Sequence, residues 1–162
     1  MIDIVGSTRL IDAIGDDAWV DILSWHERTF GRFVARYAGE VVDQTGDGFF
    51  VSFAEPTAAI DCAVAIQRVL ARRRPFGPAL DVRIGLHRSS VLRCGLAYRG
   101  KGVHVVARIT ALASAGEILA SHETVRASRV DVCRSRVRTV QLAGISEPAR
   151  LVPIEWTRSG AV

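Results

Sequence analysis

The sequence predicts an α+β fold of the ferredoxin-like class, an antiparallel sheet in the order βαββαβ with helices packed on one face. Three features carry this expectation. Apolar residues recur at helical spacing from Asp16 to Tyr37, Thr45-Gly46-Asp47-Gly48 separates two β-prone runs, and a second helical pattern from Pro56 leads into the alternating segment Asp81–Leu86.

Met1 to Val5 is a short apolar run, read as the first strand, which stops at Gly6-Ser7-Thr8. That tripeptide is a strand-to-helix turn whose hydroxyls are good N-cap groups. Asp16 and Asp17 open the long helix, where Trp19, Ile22, Leu23, His26, Phe30, Phe33, Val34 and Tyr37 share one face. Gly39 is expected as its C-cap. The runs Glu40–Asp43 and Phe49–Phe53 then flank an Asp-Gly pair, a strong hairpin signal. Pro56 starts a helix with Ala59, Cys62, Ala63, Ile66, Val69 and Leu70 on one face, and Pro75 and Pro78 end it. Asp81–Leu86 reads as a strand continuing into a second hairpin at Val91–Leu96. A third helix is expected from Gly102 to Ala115, strands at Ile118–Ala120, Val130–Val132, Val137–Leu142 and Leu151–Trp156, and a short helix at Ser121–Ser128.

The chain has 162 residues, 49% hydrophobic and 23% charged, the balance of a folded protein and not of a disordered one. No repeat or linker divides it, so residues 1–158 are expected as one domain followed by a tail at 159–162. A chain of this length buries roughly 70% of its unfolded surface, enough for a core without staples. No apolar run approaches the ~20 residues that span a bilayer, and no cleavable leader opens the chain, which predicts a cytoplasmic protein with no membrane contact. Cys62, Cys94 and Cys133 are widely spaced and odd in number, so they read as reduced thiols and not as a disulfide or zinc framework. The net charge of +4 invites a nucleic-acid partner, but the basic residues are scattered. Their densest run, Arg72 to Arg74, falls at a helix end where cations complement the dipole, so no nucleic-acid binding is expected. Twenty of the basic residues are Arg, Lys101 is the only Lys, and the chain contains no Asn.

Phosphate-loop, metalloprotease, nucleophile-elbow and dinucleotide fingerprints are all missing. His26, His87, His104 and His122 show no ligand spacing, and His26 reads as a packed core residue. Two acids stand in special places: Asp3 ends the first strand, and Asp47 lies at the hairpin tip. Either alone could be an ordinary turn carboxylate. In a split βαβ sheet their strands are neighbours, so both can converge on shared divalent cations that neutralise a triphosphate. The amides of Ile4 to Thr8, at a helix start, offer an anion site for the phosphates.

Four ordered motifs, Asp3-Ile4-Val5-Gly6-Ser7-Thr8, Thr45-Gly46-Asp47-Gly48-Phe49, Arg83-Ile84-Gly85-Leu86-His87 and Val103-His104-Val105-Val106-Ala107-Arg108, resemble a class III adenylyl/guanylyl cyclase catalytic domain of the bacterial type. The resemblance runs essentially end to end and includes Gly116-Glu117-Ile118-Leu119-Ala120-Ser121. It implies a head-to-tail homodimer with nucleotide sites in the interface. Asp3 and Asp47 match the family's metal-binding aspartates, with the carbonyl of Ile4 as a further ligand and two Mg²⁺ or Mn²⁺ per site. Val5, Gly6, Ser7 and Thr8, at the helix start, are the candidate nucleotide-binding residues, and Arg108 matches the arginine that reaches the reacting phosphate from the partner chain. The ribose 3′-oxygen would attack the α-phosphorus intramolecularly and pyrophosphate would leave, with no protein nucleophile.

Ser89 and Ser90 occupy a turn where the family prefers Gly, Met1 stands where an aromatic usually precedes Asp3, and four site positions also depart from the pattern. Asp43 stands where the family has a base-selecting lysine, and Ala97 at its second base-selecting position. His104 replaces the transition-state asparagine, and Ala143 the phosphate-binding lysine. An imidazole donates a hydrogen bond much as an amide does, which keeps His104 a candidate catalytic residue beside Arg108. Arg93, Arg99 and Arg138 are the candidate stand-ins for the missing lysine. Two readings follow: a cyclase forming a 3′,5′-cyclic nucleotide and pyrophosphate from ATP or GTP for intracellular signalling, or a weak or inactive cyclase-homology module that dimerises and binds nucleotide to regulate a fused or separate partner.

Overall fold

The computed structural model describes residues 1–72, 80–90, 92–94, 97–130 and 136–157. In chain order the elements are β1 (Ile2–Ile4), α1 (Ser7–Ile14), α2 (Asp16–Arg36), β2 (Gly39–Thr45), β3 (Gly48–Phe53), α3 (Pro56–Arg72), β4 (Val82–Leu86), β5 (Leu92–Cys94), β6 (Ala97–Arg99), α4 (Lys101–Leu112), β7 (Ile118–Ser121), α5 (His122–Ala127), β8 (Arg138–Val140) and β9 (Ala149–Pro153). The seven-stranded sheet has the order β2-β3-β1-β4-β7-β9-β8, and β5 and β6 pair as a separate two-stranded ribbon. Its first four strands, with α2 and α3, are the expected ferredoxin-like βαββαβ unit. Every pairing in the large sheet is antiparallel except β4 with β7.

The local signals locate most elements within two or three residues of their observed ends, while two helix caps and the first hairpin turn differ. Ser7 is already inside α1; the N-cap is Gly6, at φ 70°, with no side-chain bond to the first turn. The left-handed step after α2 is taken by Ala38, at φ 55°, while Gly39 begins β2. Gly39 is small for another reason: a Cβ there would lie 2.5 Å from the Phe53 ring. At the hairpin tip Gly46 (φ 63°) and Asp47 are the two turn residues between paired Thr45 and Gly48. This is a Gly-first turn, so the backbone freedom is needed at Gly46 and not after the aspartate. Pro75, Pro78, Val91, Leu96, Cys133, the tail and most of the Val130–Val132 run lie outside the described residues, and Val130 itself is not in a strand.

Strand alternation divides the core. Ile2, Ile4, Ile84, Ile118, Ala120 and Val152 pack with Phe30 and Val34 of α2 and Ile60, Ala63 and Ile66 of α3. Leu119 and Leu151, their sequence neighbours, pack instead with Val105 and Ile109 of α4. Neighbouring strand residues point to opposite faces, so α2 and α3 cover one face and α4 covers the other. The expectation of helices on one face therefore holds for the βαββαβ unit and is corrected for the extended sheet, because β7 and β9 carry apolar residues on both sides.

Gly85 sets the distance between β4 and α4. A Cβ at Gly85 would stand 2.7 Å from the Thr110 backbone nitrogen, closer than real Cβ atoms approach. Gly85→Ala is expected to push α4 off the sheet and to destabilise the protein by about 1–3 kcal/mol, measured by chemical denaturation; an unchanged midpoint would sink this account. Cys62 is buried and free, and burial pushes its thiol up to about 12, which keeps it protonated and unreactive. Among the described residues no helix is long and apolar enough to cross a membrane.

Candidate functional site

Adjacent β1 and β3 meet with Ile2 opposite Phe49. Continuing this antiparallel register places Asp3 opposite Gly48 and Ile4 opposite Asp47, so both carboxylate-bearing positions lie at one end of the same strand pair. Ile2 and Ile4 point into the core at 5% and 3% exposure, and the pleat turns Asp3 to the other face. There it meets Arg83, its cross-strand partner on β4. Arg83 donates to Asp3 Oδ2 from Nε at 2.8 Å and from Nη2 at 2.5 Å, while its Nη1 donates to the Ala111 carbonyl at 3.2 Å, near the C-terminus of α4. One guanidinium thus ties Asp3 to the helix that carries His104 and Arg108. A lysine could not make all three bonds.

Asp47 has the opposite character. Its Oδ2 is buried and has no hydrogen-bond partner. A buried carboxylate oxygen without a partner is costly, and such an atom normally has a ligand. His26 of α2 lies beneath this hairpin, fully buried, with its ring 3.9 Å from Phe30 and 5.8 Å from Phe49. Burial lowers its pKa to about 4, against an opposing pull from the Asp47 charge. His26 is therefore neutral at pH 7.

The orphaned Asp47 oxygen, the Asp3 carboxylate and the Ile4 carbonyl are hard oxygen donors at one end of the same strand pair, the donor type that suits Mg²⁺ or Mn²⁺. Among the described residues no three His, Cys, Asp or Glu side chains converge on a metal position. A cation here would rest on two carboxylates, a backbone carbonyl and oxygens of a substrate, as is usual for ions bound together with phosphates.

The turn after β1 leads into α1, whose first-turn amides have no side-chain cap. Val5 is removed from this set, because its N–H donates to the Asp81 carbonyl at 2.8 Å. Gly6, Ser7 and Thr8 remain at the helix start as candidate anion donors. His104 and Arg108 sit one turn apart on α4, both exposed, and among the described residues neither side chain makes an ion pair or a hydrogen bond. Asp43 is exposed beside the β2 bulge, and its Oδ1 accepts from the Gln44 N–H at 2.9 Å. Ala97 pairs with Cys94 in the β5–β6 ribbon, and Ala143 is exposed in the turn between β8 and β9. Of the three arginines considered for the missing lysine, Arg138 is engaged by Glu117 at 2.8 Å, Arg99 is exposed, and the side chain of Arg93 is outside the described set. A cavity of about 400 Å³ opens between β3, β4 and α3, and neither aspartate lines it.

Arg83 falls within the Arg83–His87 motif, which by itself assigns it no role. Only the pairing of β1 with β4 identifies it. His26 is packed in the core as its place on the apolar face predicts, but helical periodicity cannot show that its two ring nitrogens lack partners.

No protein-family model matches the chain. It is 31% identical over 136 residues to a putative adenylate cyclase of Rhizobium meliloti and 30% identical over 119 residues to a serine/threonine-protein kinase of Myxococcus xanthus. The matches cover 80% and 72% of this chain but only 23% and 14% of those relatives. Solved structures align over most of both chains. An adenylyl cyclase of P. aeruginosa has a TM-score of 0.79 at 23% identity, covering 97% of this chain and 92% of that one. A protein of Silicibacter pomeroyi described as an adenylate/guanylate cyclase/hydrolase has a TM-score of 0.78 at 24% identity, covering 94% and 91%. An adenylate cyclase of Trypanosoma brucei has a TM-score of 0.80 at 21% identity, covering 94% and 84%. At these identities the likeness establishes the fold.

Proposed function

We propose that this chain, which has the class III adenylyl/guanylyl cyclase catalytic-domain fold, is a nucleotide cyclase that converts ATP or GTP to the 3′,5′-cyclic nucleotide and pyrophosphate. The observation that carries this reading is the buried, unpartnered Oδ2 of Asp47, in the turn that leads into the strand beside β1 and Asp3. Asp3, Asp47 and the Ile4 carbonyl would hold the divalent cations, which when bound supply charge neutralisation along the triphosphate. Arg83 fixes one Asp3 oxygen and leaves the other free to face a cation. The amides of Gly6 to Thr8 take terminal phosphate oxygens, holding the substrate so that its own 3′-oxygen lies near the α-phosphorus.

His104 and Arg108, exposed on α4, fit a head-to-tail homodimer in which each protomer completes the other's site. There Arg108 would stabilise the charge that develops on the reacting phosphate, and His104 would donate a hydrogen bond to it. Assay with ATP and GTP, Mn²⁺ and protein concentrated enough to dimerise tests the proposal. Absence of both cyclic products from a dimeric sample would overturn it in favour of a nucleotide-binding regulatory module. Ala143 and the engagement of Arg138 by Glu117 favour that second reading, since both reduce the cations near a triphosphate.

Base choice gives a separate expectation. An ionised Asp43 is acceptor-only; it matches the donors on guanine N1 and N2 and cannot serve adenine N1. With Ala97 offering no second polar contact, discrimination of only about 1–2 kcal/mol is expected, so GTP is accepted at least within about tenfold of ATP. Asp43→Lys should move the kcat/KM ratio toward ATP. A protein that strongly prefers ATP and is indifferent to this substitution does not read the base through Asp43.

A further inference from the structure

α4 has no cation of its own at its C-terminal end: its last turn holds no basic residue, and its C-cap is Ala113. The carbonyls there are left over by the helix and carry the negative end of its dipole. Arg83 supplies the missing cation from β4, its Nη1 donating to the Ala111 carbonyl at 3.2 Å. The same guanidinium donates twice to Asp3, from Nε at 2.8 Å and from Nη2 at 2.5 Å, both times to Oδ2. The Arg83 and Asp3 side chains remain 31% and 23% exposed, so a hydrated ion can still reach the carboxylate. Gly85, two residues along β4 and on the same face, lies against Thr110, where a Cβ would stand 2.7 Å from the backbone nitrogen. The end of α4 is therefore seated on β4 at two adjacent points. One is steric, and the other is shared with a carboxylate of the candidate cation site. Arg108 lies one turn before Ala111 on the same helix.

From this we infer that Arg83 couples the cation site to the helix that carries Arg108, as a positioning residue whose one guanidinium orients Asp3 for the cation and fixes the end of α4. The inference rests on the metal-binding reading of Asp3 and Asp47. Both bonds to Asp3 end on Oδ2, so a cation on Oδ1 leaves the bridge to Ala111 in place and removes the remaining freedom of the carboxylate. Occupation of Asp3 then orders the end of α4, and by linkage each favours the other equally. Hydrogen bonds to a ligating carboxylate typically change metal affinity by about 10–100-fold. A lysine at this position keeps the charge but cannot hold two partners in fixed directions, which separates geometry from electrostatics.

The test reads Mn²⁺ binding by electron paramagnetic resonance without nucleotide, and hydrogen exchange of the Ile109 to Ala113 amides with and without Mn²⁺. The samples are the unaltered protein, Arg83→Lys and Asp47→Asn, each held well below its unfolding temperature. In the unaltered protein Mn²⁺ is expected to slow this exchange by about fivefold or more. Arg83→Lys loses that response and binds Mn²⁺ about tenfold or more weakly, although its charge is the same. An arginine that only stabilises the fold would lower Tm on substitution and leave both readings unchanged. Equal Mn²⁺ affinity or an equal exchange response in Arg83→Lys, with Asp47→Asn still weakened, therefore overturns the coupling and leaves the metal site standing. Mn²⁺ binding without any change in exchange in the unaltered protein overturns it as well. Absence of Mn²⁺ binding by the unaltered protein, or equal binding by Asp47→Asn, overturns the site itself and the inference with it. Should Arg83→Lys not fold, Arg83→Gln makes the comparison, and an exchange response equal to that of the unaltered protein overturns the coupling.

Discussion

Asp47→Ala is expected to abolish metal-dependent cyclase turnover while leaving the fold intact. The carboxylate is one of two that would hold the cations, and metal-derived stabilisation of a phosphoryl transition state is worth several kcal/mol. A loss of about 4 kcal/mol corresponds to about a thousandfold in rate. Stability should respond in the other direction. Oδ2 is buried and makes no hydrogen bond, so its removal discards no bond and relieves a desolvation cost. The unfolding free energy is expected to stay within about 0.5 kcal/mol or to rise slightly. Steady-state rates with Mn²⁺ and urea denaturation of the same samples separate the two effects. Loss of the fold together with activity would show that Asp47 is a structural turn residue.

Acid is expected to destabilise the protein through His26. Its pKa is lowered to about 4 in the folded chain, chiefly by burial and partly offset by the Asp47 charge, against about 6.5 in an unfolded chain. The unfolded state therefore binds a proton that the folded state refuses throughout this interval, and stability falls as pH falls from about 6.5 to about 4. Each pKa unit is worth about 1.4 kcal/mol, so the full effect approaches about 3 kcal/mol, a large share of a typical folding free energy. Above pH 6.5 the contribution is constant. Denaturation at pH 7 and pH 4 of the unaltered protein and His26→Phe isolates it, because carboxylate titrations common to both cancel in the difference. Equal acid sensitivity of the two proteins would mean that His26 is protonated in the folded state.

Local sequence signals located the helices and strands well where periodicity was long. The apolar face of α2, the Asp16-Asp17 start, and the hairpin between β2 and β3 were all legible, because each depends on residues within a few positions of one another. The caps were less so. Ser7, Thr8 and Gly39 are good capping types by composition, yet the backbone freedom is used at Gly6 and Ala38, and Gly39 is small to admit the Phe53 ring. A capping preference is weak beside the packing of a long-range neighbour. The second hairpin read as a continuation of β4, but β5 and β6 form their own ribbon.

By itself the sequence determined the βαββαβ order, the placement of Asp3 and Asp47 at the ends of strands that such an order makes neighbours, and the departures at Asp43, Ala97, His104 and Ala143 from a cyclase pattern. Those properties follow from periodicity and residue identity, which are local. Tertiary structure alone decided that α4 covers the opposite face from α2 and α3, that Arg83 grips Asp3 and the end of α4 together, and that His26 and Asp47 Oδ2 are buried without partners. Each of these depends on strand register or on the folding of a hairpin against a distant helix. Register is set by the sum of many weak cross-strand contacts, and a shift of one residue exchanges the two faces of a strand.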